Sequence, residues 1–344
     1  MNYLRNTWYA AAWSGELVTD KLLARTLLDE PLAFFRDDAG KAVALSDRCP
    51  HRFAPLSKGK IIDNTVQCPY HGLQFGTDGR CSRNPHGPVP AVARVKSFPL
   101  LERYGLVWIW MGDAQKADAS ALADFSIFTD TDHYAVVSGM LSIQANYELV
   151  IDNLLDLSHA QFLHPLLGNP DSSDRVQLKT RVDGTTVWSL SDMPGEPVSQ
   201  LFAMMWPNKP NVGDKRANMR WDPPSNLFLD VGYAECGKAI GTGPSMPSAH
   251  ILTPETERST HYFWATARDS LRDDAQLSEK IRIGIGQAFL TEDAPIIAAC
   301  QARMGTTDLM SLQPLLLKTD AAAVHARRIL HKLIEQERAA AAAA

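Results

Sequence analysis

The chain has 344 residues, 45% of them hydrophobic, enough for one large domain or two ordinary ones with their own cores. A net charge of -5 without basic runs excludes nucleic acid as the main partner, because phosphate binding needs clustered Lys and Arg. The longest apolar runs, such as Trp8 to Trp13, fall far short of the roughly 18–20 residues that span a bilayer. The first residues also lack the charged start, long apolar centre and small-residue cleavage site of a secretory signal, so a cytoplasmic protein without membrane contact is expected.

The first third reads as β-structure. Leu32 to Phe35, Ala42 to Leu45, Val66 to Gln67 and Leu106 to Trp110 are short apolar segments. Turn signals such as Asp37-Asp38-Ala39-Gly40 and Asp78-Gly79 separate them. A polar, alanine-rich stretch from Gln115 to about Asp124 marks a boundary, giving expected domains 1–122 and 123–338. Beyond it, Ala145 to Leu163 carries apolar residues at helical spacing and ends before Pro165. Segments near 175–190, 200–206, 226–234, 248–253 and 261–265 read as strands of an antiparallel sheet. Leu277 to Ala299 is predicted helical with an interruption at Pro295, and Asp320 to Glu337 helical with Asp320 as its N-cap. The run 339–344 is set aside as an alanine tail or vector-derived remnant. The class is α+β: an all-β N-terminal domain, then an antiparallel sheet flanked by helices.

Five cysteines in a chain of this length are not a disulfide framework. Cys49, Cys68 and Cys81 fall in one window, and Cys49-Pro50-His51 is followed after sixteen residues by Cys68-Pro69-Tyr70-His71. Each hook offers one thiolate and one imidazole, the donor set of a Rieske [2Fe–2S] centre, where two Cys hold one iron and two His the other. Zinc also takes two Cys and two His. Zinc fingers usually keep the Cys pair in one hook and the His pair in the other, so the mixed hooks favour the cluster. Pro50 and Pro69 stiffen the loops, and Gly59 and Gly72 are expected to let backbone approach the sulfides. Cys81 reads as a small buried apolar residue.

A second constellation lies between Asn146 and Pro165. Asn153, Asp156 and His159 are three apart, one ridge of a helix. His164 precedes a proline, which disfavours the α region, so the helix is expected to end there and return its imidazole towards His159. Two such His need one carboxylate to complete the facial triad of a non-haem Fe(II) oxygenase, with positions left open for dioxygen.

Cys49-Pro50-His51-Arg52 with Cys68-Pro69-Tyr70-His71-Gly72 resembles the Rieske non-haem iron oxygenases. Val107-Trp108-Ile109-Trp110, the segment Asn153 to His159, and Ile251-Leu252-Thr253-Pro254-Glu255-Thr256 are most similar to the vanillate and dicamba O-demethylase type. The resemblance implies a Rieske domain followed by a helix-grip, START-like catalytic domain. It implies a [2Fe–2S] cluster on Cys49, His51, Cys68 and His71, and a mononuclear Fe(II) on His159, His164 and Asp293, with O2 as co-substrate. Glu292 is an adjacent alternative to Asp293. It further implies that Asp156 links His159 to His71 of the partner subunit in a head-to-tail homotrimer, and that Asn153 lines the iron site. Electrons would come from NAD(P)H through a separate reductase or ferredoxin. The implied reaction is hydroxylation of a methyl or methoxy group of a small, aromatic substrate, releasing formaldehyde. Ring hydroxylation, cis-dihydroxylation and N-demethylation of an amine stay open as alternatives. His250 and Asp230 are candidate substrate contacts: His250 would pair with an anionic group, whereas Asp230 would repel a carboxylate and favour a cationic amine. His86, His133, His261, His325 and His331 lack partners at metal spacing and read as structural or solvated.

Overall fold

The computed structural model of the chain describes residues 3–164 and 176–343. Two compact units result: Tyr3–Leu122 with Thr253–Thr256, and Ala123–Leu252 with the chain from Glu257 onward. Among the described residues no helix is long and apolar enough to cross a membrane.

The N-terminal unit is built from ten strands: β1 (Trp8–Trp13), β2 (Leu23–Leu27), β3 (Glu30–Arg36), β4 (Ala42–Ser46), β5 (Lys60–Ile62), β6 (Thr65–Gln67), β7 (Gln74–Phe75), β8 (Cys81–Arg83), β9 (Leu100–Arg103) and β10 (Leu106–Trp110). They form sheets of order β1-β10-β9, β2-β3-β4 and β5-β6-β7-β8. The continuous apolar run of β10 fits its central position, buried on both faces. The hairpin from β3 to β4 closes where the Asp37 carboxylate accepts from the backbone N–H groups of Ala39 and Lys41. Ala33, Phe35, Leu45, Val66 and Phe75 form a core that also contains Cys49, Cys68 and Cys81.

The second unit carries a seven-stranded antiparallel sheet of β11 (Ala135–Ile143), β12 (Gln177–Asp183), β13 (Thr186–Pro197), β14 (Val212–Asp222), β15 (Asn226–Ala234), β16 (Ser248–Thr256) and β17 (Ser259–Arg268). Its order is β11-β17-β16-β15-β14-β13-β12. The helices are α1 (Tyr147–Leu155), α2 (Ala160–Leu163), α3 (Gln200–Met205), α4 (Ala275–Gln287), α5 (Ala294–Met304) and α6 (Ala321–Ala343). The expected antiparallel sheet with flanking helices is therefore what forms.

Several local expectations need correction. The segment 200–206 is helix α3, because its apolar residues Leu201, Phe202 and Met205 bury one helical face. The strand expected near 175–190 is a hairpin turning at Gly184 (φ 59°), and residue 175 lies outside the described residues, as does Pro165. The single helix over Ala145 to Leu163 breaks at Asp156 (φ -112°, ψ 87°), where the Asp156 carboxylate accepts from the Ser158 N–H. Asp320 does not cap α6; it accepts from the Leu317 N–H and closes a 3₁₀ turn ahead of it. The alanines through Ala343, excluded from the sequence reading, continue α6, as the strongest helix former would.

Helices α1 and α6 are joined by buried charge. Arg327, 5% exposed, donates to Glu148 at 2.6 Å and to Asp152 at 2.6 Å. His331 donates to the same Glu148 oxygen at 2.9 Å. This network anchors α1, and α1 leads directly into the residues that matter next.

Candidate active site

The two Cys-His hooks fold alike. In the first, Phe53 N–H donates to the Cys49 carbonyl and Cys49 N–H to that of Ala54; in the second, Gly72 N–H donates to Cys68 and Cys68 N–H to Leu73. The fifth residue of each hook is left-handed, Phe53 at φ 60° and Gly72 at φ 74°. Gly72 adopts this freely, whereas for Phe53 it costs roughly 1–2 kcal/mol. At Gly59 a Cβ would lie 2.0 Å from the Gln67 carbonyl oxygen. The close approach is between strands.

Cys49 and Cys68 are buried and unbridged. Burial first, then the neighbouring Cys68 thiol, push the Cys49 thiol up to about 11. Two buried thiols facing each other without a disulfide are a donor pair for a cation, which would deprotonate them. His51 and His71 stack edge to face with ring centroids 4.5 Å apart. Their surroundings are exposed: Phe53 and Tyr70 each show about 60% of their surface. Burial, then the charges of His51, Arg52 and His86, hold the His71 pKa below its ordinary value. His86 is not isolated either, since its Nε2 lies 3.0 Å from the His71 carbonyl. The four donors do not converge on one point. Among the described residues the one set of three or more His, Cys, Asp or Glu donors lying within 4.8 Å of one another is His159, His164 and Asp293. A tetrahedral zinc would demand such convergence of the Cys and His donors, whereas a two-iron cluster holds its Cys and His pairs apart. The hooks fit the cluster.

The second donor set is assembled from two elements. His159 ends a 3₁₀ turn, Leu157–His159, that follows the break at Asp156. His164 has extended backbone (φ -110°, ψ 95°) at the end of α2. Asp293, 3% exposed, ends a π-helical turn over Ala288–Asp293 between α4 and α5. Pro295 lacks the N–H that would bond back to the Thr291 carbonyl, and the wider turn absorbs that loss. His159 Nε2 lies 3.4 Å from one Asp293 oxygen and His164 Nε2 3.4 Å from the other. Asn153 donates to Asp293 Oδ1 at 3.3 Å.

Both far ring nitrogens have acceptors. His159 Nδ1 donates to the Asp156 carbonyl at 2.7 Å, and His164 Nδ1 to Glu292 Oε2 at 2.6 Å. Each imidazole is thus held as the tautomer whose Nε2 lone pair faces Asp293, the arrangement a metal-binding His requires. Within the chain it is the Asp156 carbonyl that orients His159. Burial lowers the His159 pKa, with Asp293 opposing it. At His164 burial also acts downward, but Asp293 and Glu292 together outweigh it and the pKa is raised. Two imidazoles and one carboxylate fit a mononuclear non-haem iron.

These groups open into a pocket between the sheet and the helices, lined largely by apolar side chains such as Leu201, Phe202, Met219, Leu229, Val231 and Phe289. Strand alternation decides which candidates reach it. Leu229 and Val231 of β15 face the pocket, so Asp230 points to the opposite face and pairs with Arg216 at 2.9 Å. The expected contact between Asp230 and substrate is withdrawn, and with it the repulsion of carboxylates. The same alternation brings Lys215, Ala217 and Met219 of β14 inward. Burial lowers the Lys215 pKa, while Glu196 opposes it.

His250 does line the pocket. It is 4% exposed, its Nδ1 lies 2.6 Å from the Tyr262 hydroxyl, and its Nε2 has no partner among the described residues. Tyr262 is itself buried, and His250 Nδ1 is the partner its hydroxyl has. The phenol therefore donates and Nδ1 accepts, which leaves the imidazole proton on Nε2. Burial pushes the His250 pKa down to about 4, so the ring is neutral. Neither Tyr262 nor Lys215 was found by motif. They meet the site through cross-strand pairing, which no local spacing encodes.

Each donor set lies in a segment that matches a known domain. Residues 7–99 match the Rieske [2Fe-2S] domain, and residues 143–336 match the vanillate O-demethylase oxygenase C-terminal domain. The chain is 38% identical over 341 residues to the dicamba O-demethylase oxygenase component of Stenotrophomonas maltophilia, covering 98% of this chain and 100% of that one. It is 40% identical over 338 residues to the chloroacetanilide N-alkylformylase oxygenase component of Rhizorhabdus wittichii (strain DC-6 / KACC 16600), covering 97% of each. The crystal structure of dicamba monooxygenase bound to 3,6 dichlorosalicylic acid superimposes with a TM-score of 0.93 at 38% identity, over 98% of this chain and 100% of that one. The chain belongs to the Rieske non-haem iron oxygenases of the vanillate O-demethylase type, as an oxygenase component whose cofactors are a [2Fe–2S] cluster and a mononuclear iron.

Proposed function

We propose that the chain hydroxylates a methyl or methoxy carbon of a small aromatic substrate that bears an oxygen acceptor, with release of formaldehyde. The observation that carries this reading is that His250, buried and with its Nε2 unpartnered among the described residues, lines the same pocket as His159, His164 and Asp293. An apolar pocket with one fixed donor orients a flat substrate by a single acceptor atom. Lys215 on the same wall favours an anionic acceptor, and Asp230 no longer argues for a cationic amine.

In this reading residues 1–122 hold the cluster through Cys49, His51, Cys68 and His71. Residues 123–338 hold the iron through His159, His164 and Asp293. When bound, these centres supply electrons and dioxygen activation. The protein's own part is to seat the substrate, exclude water with the apolar lining, and keep both iron-facing imidazoles in one tautomer. A separate reductase or ferredoxin delivers electrons in the cytoplasm. The hook tips, flanked by the exposed Phe53 and Tyr70, suit docking of His71 near Asp156 of the partner subunit, as a head-to-tail homotrimer requires.

The test is a screen of methoxylated and N-methylated aromatic acids and neutral analogues with an NADH-linked reductase. Formaldehyde should appear in step with NADH consumption, fastest with anionic ethers. A diol without formaldehyde would contradict the proposal. With the best substrate, His250→Leu should raise KM by about 10- to 100-fold, the worth of a hydrogen bond to a charged acceptor. Tyr262→Phe, which frees the ring proton to occupy either nitrogen, should raise it less.

A further inference from the structure

The π-helical turn Ala288–Asp293 presents successive carboxylates to the two nitrogens of one imidazole. Glu292 Oε2 lies 2.6 Å from His164 Nδ1, and Asp293 Oδ2 lies 3.4 Å from His164 Nε2. The two iron-facing imidazoles are therefore oriented by different means. His159 is held by a main-chain carbonyl, which no substitution at Asp156 removes, whereas His164 depends on the Glu292 side chain.

Two simpler readings compete. A surface ion pair would contribute little, but the His164 side chain is only 6% exposed, so its Nδ1 has no ready water to replace Glu292. A fourth iron ligand would have to converge with the other donors. Glu292 instead sits at the opposite nitrogen, and the converging group is His159, His164 and Asp293.

We propose that Glu292 is a positioning residue that fixes His164 as its Nδ1–H tautomer, aims Nε2 at the mononuclear iron, and so sets iron affinity without touching the metal. The carboxylate raises the basicity of the ring it accepts from, and such outer partners typically account for 10- to 100-fold in metal affinity. This rests on reading His159, His164 and Asp293 as the iron ligands.

The experiment uses the full chain with its cluster intact as an internal reference. Mononuclear Fe(II) affinity is measured by competition with a chromogenic Fe(II) chelator for wild type, Glu292→Ala and Glu292→Gln. Glu292→Ala should bind Fe(II) about 10- to 100-fold more weakly. Glu292→Gln, whose amide oxygen still accepts the N–H, should recover part of that loss. Melting of the iron-stripped proteins should be nearly the same for all three, while the rise in Tm on adding Fe(II) should shrink in Glu292→Ala. Unchanged Fe(II) affinity in Glu292→Ala would overturn the proposal. So would equal Tm losses with and without Fe(II), the mark of a purely structural contact. A wild-type protein that keeps its cluster absorbance yet binds no mononuclear Fe(II) would instead overturn the ligand assignment beneath it.

Discussion

Replacing His159 with Ala should lower turnover at least about 1,000-fold, some 4 kcal/mol of lost transition-state stabilisation, while the visible spectrum of the cluster stays as in wild type. His159 supplies one of three converging donors, and its Nδ1 bond to the Asp156 carbonyl has no substitute once the ring is gone. The hooks carrying Cys49, His51, Cys68 and His71 lie in the other compact unit and use none of these residues. Iron content should fall to that of the cluster alone. Loss of the cluster spectrum in this variant would contradict the division of roles between the two donor sets.

The second large effect is on stability. Arg327→Met should destabilise the protein by about 3–5 kcal/mol, the usual consequence of leaving buried carboxylates without their cation. Arg327 is 5% exposed and serves both Glu148 and Asp152, so its loss leaves Asp152 without its cation and Glu148 with His331 alone. Thermal melting should drop by roughly 10 °C. Because α1 carries Asn153 and ends at Asp156, iron should also be retained less well. Adding Glu148→Gln and Asp152→Asn should restore much of the Tm, since no buried charge then remains unpaired. A Tm within one or two degrees of wild type for Arg327→Met alone would show the network to be dispensable.

The same cluster carries a pH dependence. The Glu148 hydrogen bond, against the effect of burial, raises the His331 pKa above its ordinary value. A group raised on folding contributes stability in full below its unfolded pKa, about 6.5, and loses it as pH rises through the folded value. The Tm should therefore decline from pH 6 to pH 8.5, and His331→Leu should flatten that decline.

Much of the site was legible because its chemistry is local. The Cys-Pro-His and Cys-Pro-Tyr-His hooks, the proline after His164 and the spacing of Asn153, Asp156 and His159 are all readable within a few residues. The ridge of a single helix, in contrast, does not exist, because Asp156 breaks it and still delivers His159 to the site. Strand β14 is not legible in the sequence for a physical reason. β14 sends Lys215 to the pocket and Arg216 to Asp230, so both of its faces carry charge and no period-2 contrast appears. Asp230 was misplaced because face assignment needs the sheet register, which Leu229 and Val231 reveal only once β15 is paired. Glu292 reads in the sequence only as an alternative iron ligand to Asp293, since which carboxylate meets which nitrogen follows from a π turn that no motif announces.

The most direct test is metal and sulfide analysis of the anaerobically purified protein, read beside its visible spectrum. The account predicts about three irons and about two acid-labile sulfides per chain, with a red-brown colour, because a Rieske cluster holds two irons and the facial triad a third. A colourless protein that binds zinc alone, or one whose iron never exceeds that of the cluster, would contradict it.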